Sequence, residues 1–276
     1  MNRPTFLRRS TALLLTLVLM VCAALPGFAA YQMPIQTASD TESVYLFNLD
    51  TGKPILRQNS DQQRYIASLT KMMTALLFLE SGKDMNAEIT IPTSLTQEFK
   101  DIQNANGSTM NLRIGETVRR IDLLYGLLVA SANDAASVMA NDVAGSLPNF
   151  VAMMNQKAQE LGCTGTHFVN PNGLHDPNHY STAWDIYLIT REAMKNETFM
   201  KICGTAAYVV PATNKSEERE LYTTNSLISN WRIMGYQYDG ADGIKTGSTD
   251  EAGHCLVSSA TEGSLSFISV ALGGPR

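Results

Sequence analysis

The chain has 276 residues, of which 17% are charged, with 21 Lys+Arg against 26 Asp+Glu and a formal net charge of −5. That length suits one large domain or a core domain carrying an inserted lobe, and the acidic balance excludes the basic face that a nucleic-acid partner needs. A local cationic site can still sit inside an acidic protein, so an anionic substrate is not excluded.

The first residues read as an export signal. Arg3, Arg8 and Arg9 precede an apolar run from Thr11 to Leu25, and Gly27-Phe28-Ala29 has the small-x-small pattern of a cleavage site. The run is shorter than the roughly 20 residues that span a bilayer. Cleavage after Ala29 is therefore expected, with an uncleaved anchor as the alternative. Met20 and Val21 are larger than a lipidation site before Cys22 usually takes. The mature domain, residues 30–276, then holds 18 Lys+Arg against 26 Asp+Glu, a net charge of −8.

Ser43 to Asn48 reads as a strand that turns at Asp50-Thr51-Gly52-Lys53 and returns through Pro54 to Arg57 as a hairpin. Leu69, Met72, Met73, Leu76, Leu77 and Leu79 mark an apolar helix ending at Ser81-Gly82, which puts Ser68 at or just inside a buried helix start. Helices are predicted over Val118–Val129, with Ile121, Leu124, Leu127 and Leu128 facing inward, and over Asp134–Ala144, Pro148–Leu161 and Thr182–Lys195. Thr182 and Asp185 form a capping-box pattern at the start of the last of these. Together they give a mostly helical lobe over roughly residues 83–200. Ala206–Val210, Gly243–Gly247, Gly253–Ala260 and Ser264–Leu272 then read as short strands. The fold class is α+β: one antiparallel sheet with helices packed on it and an inserted helical lobe.

The mature chain keeps Cys163, Cys203 and Cys255, an odd number that rules out complete internal pairing and favours buried free thiols. His175 and His179 are four apart, but Pro177 lies between them in Asn-Gly-Leu-His-Asp-Pro-Asn, which is turn chemistry. Neither a metal nor a cofactor is expected.

Three short motifs carry the chemistry: Ser68-Leu69-Thr70-Lys71, Ser131-Ala132-Asn133 and Lys245-Thr246-Gly247. Average residue usage puts about one Ser-x-x-Lys or Ser-x-Asn in a chain of this length, so neither is specific alone. Each of the three occurs once, in this order. Positions i and i+3 share a helix face, so Lys71 can reach the Ser68 hydroxyl. A lysine acts as base only when neutral, which burial and a second cation such as Lys245 bring about. Ser131 can relay a proton to a leaving amine, and Asn133 offers a donor and an acceptor to substrate and to Lys71. On a strand, Lys245 and Thr246 suit a substrate carboxylate, and Gly247 leaves room for an extended peptide to pair along the edge. The amides of Ser68 and Ser248 are the candidate oxyanion donors.

These residues resemble the serine-type D-alanyl-D-alanine carboxypeptidases, the low-molecular-mass penicillin-binding proteins of peptidase family S11. The resemblance extends to Asn172-Gly173-Leu174, His179-Tyr180-Ser181-Thr182-Ala183, and Asp242 through Thr249 leading to Glu251-Ala252-Gly253, and covers about Ser43 to Leu272. It implies a β-lactamase/transpeptidase-like fold and an extracytoplasmic enzyme in which Ser68 is acylated by a peptidoglycan stem peptide, releasing the terminal D-alanine. Lys71 would be the base, Ser131 and Asn133 the relay and positioning groups, and Lys245 and Thr246 the carboxylate binders. β-Lactams would acylate the same serine. A D,D-endopeptidase or transpeptidase, or an impaired penicillin-binding wall protein, are the alternatives. A β-lactamase is disfavoured because Thr164 to Trp184 holds no glutamate to activate water. Family members usually continue into a helix on the sheet, then often a β-rich domain and an amphipathic anchor, which this chain is expected to lack. One sheet face is then expected to expose Ile268, Val270 and Leu272, and membrane association is left open.

Overall fold

In the computed structural model of the protein, residue 37 and residues 39–275 are described. The expected export signal over residues 1–29, its cleavage site and Cys22 lie outside the described residues.

The hairpin forms as expected, with β1 (Ser43–Asn48) against β2 (Lys53–Gln58) and a register shift between Leu46 and Phe47. Three long strands close the sheet: β7 (Ala241–Thr249), β8 (Gly253–Glu262) and β9 (Leu265–Gly274). The sheet is antiparallel in the order β2-β1-β9-β8-β7, so the first hairpin docks on the last strand and β7 is left as an open edge. One row across it sets up the site. Tyr45 pairs with Val270, Val270 with Val257, and Val257 with Lys245. Facing side chains in paired strands share one side of a sheet. The row is therefore core-facing for three members, all 1% exposed or less, and its last member is a lysine under the helices, itself 1% exposed.

Helix α1 (Lys71–Glu80) is buried from Lys71 through Phe78, the sign of a helix enclosed on all sides. The other helices are α2 (Thr96–Asn104), α3 (Arg120–Leu128), α4 (Asn133–Ala144), α5 (Leu147–Glu160), α6 (Ala183–Ala193) and α7 (Glu197–Cys203), of which α3, α4, α5 and α6 pack on α1. Trp184 and Tyr187 of α6 bring their rings within 5.2 and 5.0 Å of Tyr45, which fastens α6 to the sheet.

Some sequence expectations need correction. Ile268, Val270 and Leu272 are fully buried beneath the helices; the half-exposed residues of β9 are their alternates Phe267, Ser269 and Ala271. Helix α6 packs on that face. Val118 opens no helix. It lies in β4 (Thr117–Arg119), paired with β3 (Glu88–Thr90), because its β-branched neighbours gain a ladder partner there; the helix starts at Arg120, and Ile121 is only half-buried. The strand near Ala206 is β5 (Ala207–Val210), but it pairs outside the main sheet with β6 (Arg219–Tyr222). Thr182 caps α6 through the Asp185 amide at 3.0 Å, whereas the buried Asp185 carboxylate accepts from Gly165 N and Thr166 Oγ1, so only half of the capping box is made.

Candidate active site

Ser68 sits in a single 3₁₀ turn, Ala67–Thr70, that leads into α1. Ala67, just before it, has φ +46°, a left-handed conformation that a residue with a Cβ occupies at a cost of about 1–2 kcal/mol. Such a backbone persists only where its surroundings hold it, and two contacts do so here. Thr70 Oγ1 donates to the Ala67 carbonyl at 2.8 Å. His179 continues the chain. The Val169 amide donates to its Nδ1 at 3.1 Å, which leaves the proton on Nε2, 2.6 Å from Thr70 Oγ1. Burial holds the His179 pKa down at about 4, so the ring stays neutral.

Lys71 is fully buried and its amine has three neighbours. It donates to Asn133 Oδ1 at 2.6 Å and to the Asn172 carbonyl at 2.5 Å, and it lies 2.8 Å from Ser68 Oγ. Two of these are oxygens that can only accept. A neutral amine has two N–H groups and one lone pair, so satisfying both acceptors aims the lone pair at the Ser68 hydroxyl. Burial, and after it the charge of Lys245, push the Lys71 pKa well below that of a free lysine, against an opposing pull from Asp134.

The loop carrying Asn172 is tied to α1 at two points one turn apart: Lys71 holds the Asn172 carbonyl, and Thr74 Oγ1 donates to the Pro171 carbonyl at 2.6 Å. Asn170 Oδ1 accepts from Gly173 N at 2.7 Å and closes the turn. Gly173 has φ +86°, and a Cβ there would sit 2.0 Å from the Ala67 carbonyl oxygen. Only glycine lets the loop approach the nucleophile turn this closely.

Ser131 and Asn133 come from the break between α3 and α4. Ser131 is also left-handed, at φ +59°, and is buried. Lys245 Nζ donates to Ser131 Oγ at 3.0 Å and to the Thr246 carbonyl at 2.8 Å; burial lowers its pKa to about 7. Thr246 is half-buried, with its Oγ1 2.5 Å from Thr224 Oγ1. Gly247 packs on the nucleophile turn: a Cβ would lie 3.0 Å from the Ile66 carbonyl and 3.1 Å from Ser68 N. Its bareness thus admits the serine turn, a contact that sequence reasoning did not foresee. Ser248 follows on the free edge of β7 and is exposed.

The structure thus links Lys71, Asn133 and Gly247 to the Ser68 turn and Lys245 to Ser131, with Thr246 and Ser248 beside them along β7. Sequence reasoning singled out the segments Asn172-Gly173-Leu174 and His179 to Ala183 by their resemblance to the family but gave them no role, and it missed Thr224. The role of a backbone carbonyl has no residue-type signal, and apart from the resemblance His179 had been weighed only as a metal ligand. Cys163, Cys203 and Cys255 are free and buried, as expected.

The sequence model of the family described as D-alanyl-D-alanine carboxypeptidase matches residues 30–276. The chain is 35% identical over 238 residues to the D-alanyl-D-alanine carboxypeptidase DacF of Bacillus subtilis, covering 86% of this chain and 58% of that protein. It therefore spans less than two thirds of that relative's length. It is 32% identical over 278 residues to the D-alanyl-D-alanine carboxypeptidase of Streptomyces sp. strain K15, covering 96% of this chain and 92% of the other. The crystal structure of the Streptomyces K15 DD-transpeptidase superposes with a TM-score of 0.76 at 33% identity, over 85% of this chain and 90% of that one.

Proposed function

The chain belongs to the D-alanyl-D-alanine carboxypeptidase family, and on that premise we propose that it removes the terminal D-alanine from peptidoglycan stem peptides through an acyl-enzyme on Ser68. The observation that carries this reading is the fully buried Lys71 amine, which donates to two carbonyl oxygens and lies 2.8 Å from Ser68 Oγ, with burial pushing its pKa well below that of a free lysine.

The substrate lies extended along the free edge of β7. Its terminal carboxylate rests at Lys245 and Thr246, and the scissile carbonyl faces Ser68, with the Ser68 and Ser248 amides as oxyanion donors. Asn133 Oδ1 is engaged by Lys71, which leaves its Nδ2 to donate to a substrate carbonyl. Ser68 Oγ attacks as Lys71 takes its proton. Ser131, hydrogen-bonded to Lys245, passes a proton to the departing amine of D-alanine. Water then hydrolyses the ester and Lys71 returns the proton. The same serine is acylated by β-lactams. We place this activity outside the cytoplasmic membrane, where stem peptides lie; among the described residues no helix is long and apolar enough to cross a membrane.

Incubation with a stem pentapeptide tests the reading. D-Alanine and a tetrapeptide are the expected products, and penicillin is expected to leave a covalent adduct on the peptide containing Ser68. Ser68→Ala abolishes both. Adduct formation that survives Ser68→Ala would remove the nucleophile assignment.

A further inference from the structure

Helix α2 carries none of the residues singled out above, yet one of its side chains joins the two parts of the protein that hold Lys71. Glu98 lies in the first turn of α2 and is half-buried. Its Oε1 accepts from Ser137 Oγ at 2.7 Å and from Asn172 Nδ2 at 3.4 Å. Both donors are buried, Ser137 at 0% and Asn172 at 1% exposure. A buried donor left without a partner is costly, so each needs this oxygen.

The two donors belong to the elements that give Lys71 its acceptors. Ser137 is on α4, four residues after Asn133, which places both on one helix face. Asn133 Oδ1 accepts from Lys71. Asn172 offers its backbone carbonyl to the same amine and its side-chain amide to Glu98. Leu174 N donates to Asn172 Oδ1 at 2.9 Å, which settles that amide with Nδ2 toward the carboxylate. One carboxylate oxygen therefore bridges the helix that carries one acceptor and the loop that carries the other. The spacing of those acceptors sets where the rest of the Lys71 amine points, and Ser68 Oγ lies there at 2.8 Å. Apolar packing does little of this work on the α2 side. Ile102 is the buried residue of α2, and a cavity of about 790 Å³ runs beside it, lined among others by Phe99, Ile102 and Asn106.

Resting on the function proposed above, we propose that Glu98 is a positioning residue for the Ser68–Lys71 pair, acting through Asn172 and through the face of α4 that bears Asn133. It touches none of the reacting atoms. The role calls for an acceptor oxygen at the reach of a glutamate side chain rather than for a negative charge, so glutamine can fill it. Without that oxygen the Asn172 loop stays folded, because Thr74 Oγ1 still holds the Pro171 carbonyl. What is lost is the fixed spacing of the two acceptors, and with it the aim of the amine.

The test follows acylation by penicillin over a concentration series, which separates the acylation rate constant from the initial binding constant, together with kcat for D-alanine release from a stem pentapeptide. Glu98→Ala is expected to lose on the order of tenfold in the acylation rate and in kcat, with the binding constant within about twofold. Glu98→Gln is expected to stay within about threefold of wild type, and Glu98→Asp, one methylene short, to fall between. Asn172→Ala keeps the backbone carbonyl and removes the donor to Glu98, so its loss is expected to match that of Glu98→Ala. The two changes combined are expected to lose no more than either alone, as for residues in one network. Gln97→Ala, on the exposed side of α2, controls for helix stability and is expected to leave both rates unchanged. Where Glu98→Ala does not fold, Glu98→Asp and Asn172→Ala carry the same comparison. Wild-type rates in Glu98→Ala overturn the role. So does a Glu98→Gln protein as impaired as Glu98→Ala, or a double variant whose losses multiply. A wild-type protein that releases no D-alanine and takes no penicillin adduct overturns the function itself, and the role of Glu98 falls with it.

Discussion

Replacing Gly173 with alanine tests whether a backbone contact positions the nucleophile. The new Cβ would lie 2.0 Å from the Ala67 carbonyl oxygen and 2.9 Å from Thr70 Oγ1, where ordinary contact begins near 3.4 Å. The loop or the serine turn must therefore move by about 1.4 Å. Neither is free to do so: Thr74 and Lys71 hold the loop, and Thr70 and His179 hold the turn. A left-handed alanine costs about 1–2 kcal/mol and overpacking about 1–3 kcal/mol. The sum, about 2–5 kcal/mol, lowers Tm by roughly 4–20 °C for a domain of this size. A misplacement of about 1 Å at reacting groups costs on the order of 100-fold in rate. Gly82→Ala is the control, because Gly82 is also left-handed at φ +66° but a Cβ there meets nothing within 4 Å. Both variants are compared by thermal unfolding and by the rate of labelling with a fluorescent penicillin. Gly173→Ala is expected to lose about 100-fold in labelling where Gly82→Ala keeps the wild-type rate. If Gly173→Ala is no less stable than Gly82→Ala and labels at the wild-type rate, the close approach has no role in placing Ser68.

Three further outcomes follow from the same contacts. In the role proposed for it, Lys245 would hold a substrate carboxylate only while protonated, and with a pKa of about 7 its charge is lost as pH rises, so KM for D-alanine-terminated peptides is expected to climb above pH 7; Lys245→Arg should shift that limb upward by at least 2 pH units in a pH series of initial rates. Thr224→Val removes the partner of Thr246 Oγ1, worth about 1 kcal/mol, and is expected to raise KM for the same peptides about fivefold with kcat within twofold. His179 has a folded pKa of about 4 against 6.5 when free, so the unfolded chain binds the extra proton first and stability falls as pH drops from 6.5 through 4, by roughly 3 kcal/mol in full. Urea unfolding of wild type and His179→Gln across that range checks this: the gap between them should narrow as pH falls, and a constant gap would refute it.

The candidate constellation was legible in the sequence because it rests on residue types: a serine three positions before a lysine, a hydroxyl two before a carboxamide, a lysine two before a glycine. The long elements were legible too. Leu69 to Leu79 reads as one buried helix, and Ser43 to Asn48 as a strand beside a turn. What escaped depends on where the chain returns in space. Nothing local to Ile268, Val270 and Leu272 says that α6, some 80 residues earlier, lies over them. Nothing in Val118 says that Ile89 waits as a ladder partner. The Asn172 carbonyl is invisible for a different reason, since every residue carries one and only the geometry of Gly173 and Thr74 singles it out. The packing of Gly247 on the serine turn was not legible, because a bare strand position reads the same whether a substrate or the protein's own turn approaches it.

The central claim is that Lys71 is a neutral amine at working pH while Lys245 carries the proton. Nitrogen-15 spectra of lysine Nζ across pH 5–10, assigned with Lys71→Arg and Lys245→Arg, measure this directly. The expected result is a Lys71 resonance already at the free-amine position at pH 7 and a Lys245 resonance that titrates near 7. A Lys71 Nζ that remains an ammonium up to pH 10 would contradict the account.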